Sequence, residues 1–184
     1  MKRIVLFVVG VLAVSASAFA QTPPSADALE KALSPAPRQM KEGATVIKWK
    51  ADNTYETLKK GTNRLVCYDR SGEPGQQPFA VQCTSIANLD RVAQNRKFEA
   101  MPDKTARQAA IDAAEKDGTR VKPEYGSVWL TMSGTDKDHA HIHTTIAVPG
   151  ATTQTTGLPD NNKQGGVWIM NAGTTTAHLM TPGS

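Results

Sequence analysis

The chain has 184 residues, 39% of them hydrophobic and 5% aromatic, with a formal net charge of +4 at pH 7. That length suits one domain with a modest core. The charge excludes a nucleic-acid-binding protein, which carries a clustered basic face; here basic and acidic residues interleave, as in Lys41-Glu42 and Glu115-Lys116-Asp117.

Residues 1–20 hold the three parts of an export signal in order. Lys2 and Arg3 form the positive start, residues 4–14 are apolar apart from Gly10, and Ala18-Phe19-Ala20 places small residues where a signal peptidase reads them. The apolar run is shorter than the roughly 20 residues a membrane span requires, and no later segment approaches that length. The expectation is an exported chain, periplasmic or extracellular, with no span in its mature part. Losing 20 of the 184 residues leaves 164, and losing Lys2 and Arg3 takes the net charge from +4 to +2.

Residues 21–43 read as a tail with a short helix. Ser25 is placed to cap a helix running to Leu33, with Leu29, Ala32 and Leu33 on one side, and Pro35 and Pro37 end it. Residues 44–184 read as a single α+β domain. Strands are expected at 44–50, 54–60 and 63–69 in a meander, then a Pro/Gly-rich loop at 71–78 and a strand at 79–84. Two helices follow, one from Ser85 to about Phe98 and one capped by Asp103 and stopped by Gly118. The second carries an alanine stripe (Ala106, Ala109, Ala110, Ala113, Ala114), which suits a peripheral helix lying close on a sheet or, on a sharper reading, a partner-binding helix. Strands return at 127–133, with Val128, Leu130 and Met132 on one face and Trp129 and Thr131 on the other, and at 139–148. Residues 151–166 are rich in Thr, Gln, Asn and Gly and read as a long functional or disordered loop. Strands at 167–171 and 176–180 close the chain.

The fold class expected is therefore α+β: one domain, a mainly antiparallel sheet, two or three flanking helices and one disulfide. Cys67 and Cys83 are the only cysteines. In an oxidising compartment such a pair favours a disulfide; two free thiols or half of a metal site are the alternatives.

Gly61-Thr62-Asn63, Cys67, a Pro/Gly loop and Cys83 resemble a segment of a family of uncharacterised exported bacterial proteins. So do the strand led by His143 and ending at Pro149, the run from Val167 to Thr174, and Ala177-His178-Leu179-Met180. The similarity spans residues 45–182 with gaps around both middle helices. It departs at Leu65, Val66 and Tyr68, where the family has Trp and Met, and in the added His139 and His141. The resemblance implies export, the cysteine pair and the importance of His143 and His178. It names no activity.

The four histidines are the one chemical lead. His139, His141 and His143 alternate, so a strand puts their rings on one face, each step of two residues advancing about 6.6–6.8 Å. Two neighbours can reach one metal ion, at about 2.0–2.1 Å per nitrogen, and the third ligand must come from elsewhere. The metal reading takes His141, His143 and His178 as ligands of zinc or copper, with His139 and Asp138 peripheral and Asp136 as a further oxygen donor or ring-orienting group. An open fourth position would activate water. His-x-His also resembles the cupin pattern, but no glutamate follows Glu124 to complete it. The competing readings are rings that merely cover the sheet, His143 and His178 hydrogen-bonded to backbone carbonyls, and a pH-responsive surface.

No Gly-x-Ser-x-Gly elbow or phosphate-cradling loop is present. The functional expectation is an exported, non-enzymatic binding or envelope-associated protein of unknown ligand, with no assured cofactor. The alternative is a periplasmic metal-binding protein or metallohydrolase.

Overall fold

A computed structural model describes residues 25–182, so the export signal expected at 1–20 lies outside the described residues. The described chain begins with α1 (Ala26–Ala32), capped by Ser25, whose Oγ accepts from the Ala28 N–H at 3.2 Å. Pro37 then opens the single-turn α2 (Arg38–Lys41). Proline suits a helix start because its missing N–H would have no partner there. Ala32 is buried, and Ala36 packs with Leu65, Cys67, Cys83 and Leu130, joined by Leu33 and Met40, so the segment before residue 44 contributes to the core.

Four strands follow: β1 (Thr45–Trp49), β2 (Tyr55–Lys59), β3 (Leu65–Asp69) and β4 (Phe79–Ser85). A 3-10 turn at Ile86–Asn88 leads into α3 (Leu89–Glu99), and α4 (Lys104–Asp117) comes next. The remaining elements are β5 (Val128–Gly134), β6 (His141–Ala147), the one-turn α5 (Thr153–Thr156), β7 (Trp168–Met170) and β8 (His178–Met180). All eight strands form one sheet in the order β2-β1-β3-β4-β5-β6-β8-β7. The protein is a single α+β domain with a mainly antiparallel sheet.

The first three strands are not a meander. β1 sits between β2 and β3, antiparallel to β2 and parallel to β3 through Thr45↔Val66 and Val46↔Cys67. The chain recrosses the start of β1 at Gly61-Thr62-Asn63. There the N–H groups of Thr62 and Asn63 donate to Gly43 O at 2.8 and 2.9 Å, and Asn63 Nδ2 donates to Met40 O at 2.8 Å. A Cβ on Gly61 would lie 2.3 Å from Gly43 O. Only glycine fits so close an approach.

Both faces of β3 are covered, which is why Leu65 to Tyr68 are all buried. α1 and α2 cover the face carrying Leu65, Cys67, Cys83 and Leu130. α3 covers the other, through Leu89 and Val92 packed with Ile47, Trp49, Val66 and Tyr68. Ion pairs fasten α3 to the β3–β4 loop: Arg96 with Glu73, and Arg70 with both Glu73 and Glu99. Arg96 also lies 5.2 Å from the Trp49 ring centre, a cation–π distance.

Two expectations change at the periphery. α4 packs against α3 rather than on the sheet, and of its alanine stripe only Ala114 is buried. Residues 151–166 are not one structureless loop. Thr152 and Thr155 form a reciprocal cap that starts α5, and Leu158 packs on the cluster of Val148, Ala151, Ile169 and Ala177. Threonine side chains satisfy the backbone locally there, so a segment with few apolar residues still takes a defined path.

A polar groove between α3 and the sheet

The sheet register builds the candidate site. Tyr68 stands opposite Gln82, Gln82 opposite Thr131, and Thr131 opposite His143, one row across four strands on the α3 face. One step along, Trp129 stands opposite Thr145. Beyond the reach of α3's apolar residues this face turns polar and forms a groove of about 250 Å³. Gln82, Trp129, Thr131, His143, Thr145 and His178 line it from the sheet, Arg91 and Asn95 from α3, and Thr176 from the approach to β8.

Hydrogen bonds hold the lining in place. Tyr68 Oη donates to Gln82 Oε1 at 2.7 Å, and Gln82 Nε2 donates to Thr131 Oγ1 at 3.0 Å. Burial pushes the Tyr68 phenol far above its usual range, so it keeps the proton it donates. Asn95 Oδ1 accepts from Arg120 Nη2 at 2.6 Å, which assigns the amide orientation and leaves its NH₂ as the free end.

Arg91 is buried. Its Nη1 donates to Val121 O at 2.5 Å and Thr175 Oγ1 at 2.9 Å, and its Nη2 to Thr176 Oγ1 at 2.7 Å. Burial lowers its pKa to about 10, which leaves it charged at neutral pH. The balancing carboxylate, Glu115, stands behind the two threonines. It accepts from Thr175 N at 3.0 Å, Thr175 Oγ1 at 2.5 Å and Thr176 Oγ1 at 3.3 Å. Burial raises the Glu115 carboxyl, but the Thr175 bonds, Arg91 and Thr176 outweigh it and hold the group below its usual range.

The histidines separate. β6 begins at His141, not at 139, so the expected row of three imidazoles is a row of two. His139 belongs to the preceding turn, where Asp136 Oδ1 accepts from the N–H groups of Asp138 and His139 at 3.0 Å each. Its exposed ring Nδ1 lies 2.8 Å from both Asp136 carboxylate oxygens. Gly134 admits this turn, since a Cβ there would meet His139 O at 2.5 Å. His141 and His143 share the groove face, and His143 lines the groove itself. His178 stands opposite Ala147 on that face, four residues from His143, about 13 Å along the strand direction. His178 Nδ1 lies 2.7 Å from Thr176 O; a carbonyl only accepts, so Nδ1 carries the proton. Among the described residues no three His, Cys, Asp or Glu side chains form a group that holds a metal ion.

Cys67 and Cys83 are directly opposite across β3 and β4 and form a disulfide, buried under α1 and α2. It lies on the face away from the groove.

A larger cleft, about 490 Å³, opens where β1 and β3 diverge beyond the Val46↔Cys67 rung. Two of its three carboxylates are taken up in ion pairs: Asp69 with Lys31 at 2.8 Å, and Glu73 with Arg96. The smaller groove presents its donors to open space and is the stronger candidate.

Sequence reasoning placed His143 and His178 among the functional residues but missed Gln82, Arg91, Asn95 and Thr131. Gln82 had a signal, a lone amide in the apolar run Phe79-Ala80-Val81-Gln82-Cys83. Arg91 had none, because a basic residue in a helix is ordinarily solvated.

No protein family, curated protein or solved structure matches the chain.

Proposed function

We propose that this is an exported, non-enzymatic binding protein that holds a small polar ligand, a free solute or a group on an envelope component, in the groove between α3 and strands β5, β6 and β8. The observation that carries the reading is the lining itself. Amide, hydroxyl, imidazole and guanidinium groups converge around the Trp129 ring, several of them oriented by bonds made behind the groove. Few, well-placed polar groups in a concave site are what a small-ligand pocket requires. Export is supported by residues 1–20 and by the disulfide, which persists in oxidising compartments. No helix among the described residues is long and apolar enough to cross a membrane.

The test is a small-molecule screen on the mature protein followed by the Trp129 indole N–H resonance in ¹⁵N-labelled material. A bound ligand shifts that signal saturably, and its affinity falls at least about tenfold, near 1.4 kcal/mol, with His143→Ala read by the same signal and with Trp129→Ala read by calorimetry. Ligands whose affinity neither variant changes would place binding elsewhere.

One observation favours a second reading, metal binding: His141 and His143 share the groove face one step of two residues apart, whereas His178 lies about 13 Å from His143 along the strand direction. Titration of chelator-stripped protein with Zn²⁺ and Cu²⁺ separates the two. Micromolar binding lost in both His141→Ala and His143→Ala supports a metal site, and equal, weak binding in all three proteins rules it out.

A further inference from the structure

We infer that the groove's ligand carries an oxyanion, a carboxylate or a phosphate, held beside Arg91. This rests on the binding reading above and adds the chemical class of the ligand.

The argument is the balance of donors and acceptors. Arg91 is the one lining residue with a fixed charge, and that charge is positive. Its counter-charge does not reach the groove. Thr175 and Thr176 stand between the guanidinium and Glu115, accepting from Arg91 and donating to the carboxylate. The cation is thus neutralised from behind, through hydroxyls, and no acid opposes it from the front.

The neighbouring groups add donors. Asn95 presents its NH₂, because its carbonyl oxygen is taken by Arg120. Thr131 accepts from Gln82, which leaves its own O–H to donate. Arg120, a second guanidinium, in the segment after α4 and bonded to Gln94 and Asn95 of α3, contributes further positive potential. Charge-assisted N–H···O⁻ bonds are roughly twice as strong as neutral ones. A groove of about 250 Å³ is at the small end for ligand sites, so the ligand is a compact solute or a head group.

The experiment uses the ¹⁵N-labelled mature protein and four probes at matched ionic strength: citrate, inorganic phosphate, the neutral polyol sorbitol and sodium chloride. Saturable shifts of the Trp129 indole and Thr131 amide with citrate or phosphate, absent with sorbitol and chloride, are expected. The citrate and phosphate arms tell carboxylate from phosphate. Arg91→Gln should weaken that binding at least tenfold. Arg91 also braces the fold, so Asn95→Ala serves as the second variant, with a loss of at least threefold. Shifts with sorbitol alone would overturn the anionic class and leave the binding reading standing. Equal shifts with chloride would mean general screening and overturn the inference, as would silence from all four probes. Anion binding undiminished in both variants would overturn it too.

Discussion

Tyr68 and Gln82 stand opposite each other on β3 and β4, and the Tyr68 phenol donates to the Gln82 amide oxygen at 2.7 Å. Tyr68 belongs to the apolar cluster under α3, whereas Gln82 reaches the groove. The bond therefore ties the position of a groove residue to the packing of the core. Thr131, which accepts from the other end of the same amide, extends the link to the strand beside His143.

Tyr68→Phe keeps the ring and removes this donor, leaving Gln82 Oε1 buried without its partner. The expected cost is about 1–3 kcal/mol, read as a lower urea midpoint with an unchanged slope. Groove ligands should bind more weakly, because the freed amide no longer orients Thr131. Wild-type stability in this variant would show that the bond does not hold Gln82.

Replacing both cysteines with alanine removes a cross-link between residues 16 apart in sequence. The chain-entropy relation gives a loss of about 3 kcal/mol. Because neither cysteine is exposed, dithiothreitol should reduce the native protein only as fast as it unfolds. Rapid reduction of folded protein, followed by mass spectrometry after alkylation, would contradict the buried placement.

Gly61→Ala and Gly134→Ala test the two close backbone approaches. The added methyl meets Gly43 O in the first and His139 O in the second, and neither carbonyl belongs to a flexible side chain. Overpacking of this kind costs typically about 1–3 kcal/mol. Gly61→Ala should loosen the β1–β3 pairing, seen as faster amide exchange at Val66 and Cys67. Gly134→Ala should instead disturb the turn at Asp136 and His139, with the groove affected through β6.

Glu115 makes the docking of α4 depend on pH. Its carboxyl is held below the usual value near 4.5, so the ionised form is favoured in the folded state. A depressed folded pKa contributes stability that is present above the unfolded pKa and lost as pH falls through the folded one. Stability should therefore decline as pH drops below about 4.5, and Glu115→Gln should flatten that part of the profile. Thermal melts of the two proteins between pH 6 and pH 3 make the comparison. Parallel curves would remove Glu115 from the account.

The legible parts of the fold were those set by local rules. Ser25 and Asp103 cap the helices they were expected to cap, accepting from Ala28 N at 3.2 Å and Ala106 N at 2.6 Å. Gly118 ends α4 in the left-handed conformation, φ 77°. The alternation of Val128, Leu130 and Met132 against Trp129 and Thr131 assigns β5's two faces as observed. That β6 begins at His141 and not at His139 was not legible, because an Asp136 side chain competes for the backbone N–H groups of Asp138 and His139. The groove was legible only in fragments, as single polar residues on separate strands.

The amino-acid sequence by itself determined the principal helices and strands and the two faces of β5, and favoured the cysteine pair, because caps, turns and period-2 alternation act over a few residues. Only the tertiary structure decided which strands are neighbours. The parallel placement of β1 against β3 depends on the close packing of Gly61 on Gly43, about 18 residues away in the chain. The same holds for the groove: Gln82, Arg91, Thr131, His143 and Thr176 meet through sheet register and the seating of α3, which are long-range packing outcomes that no local pattern records.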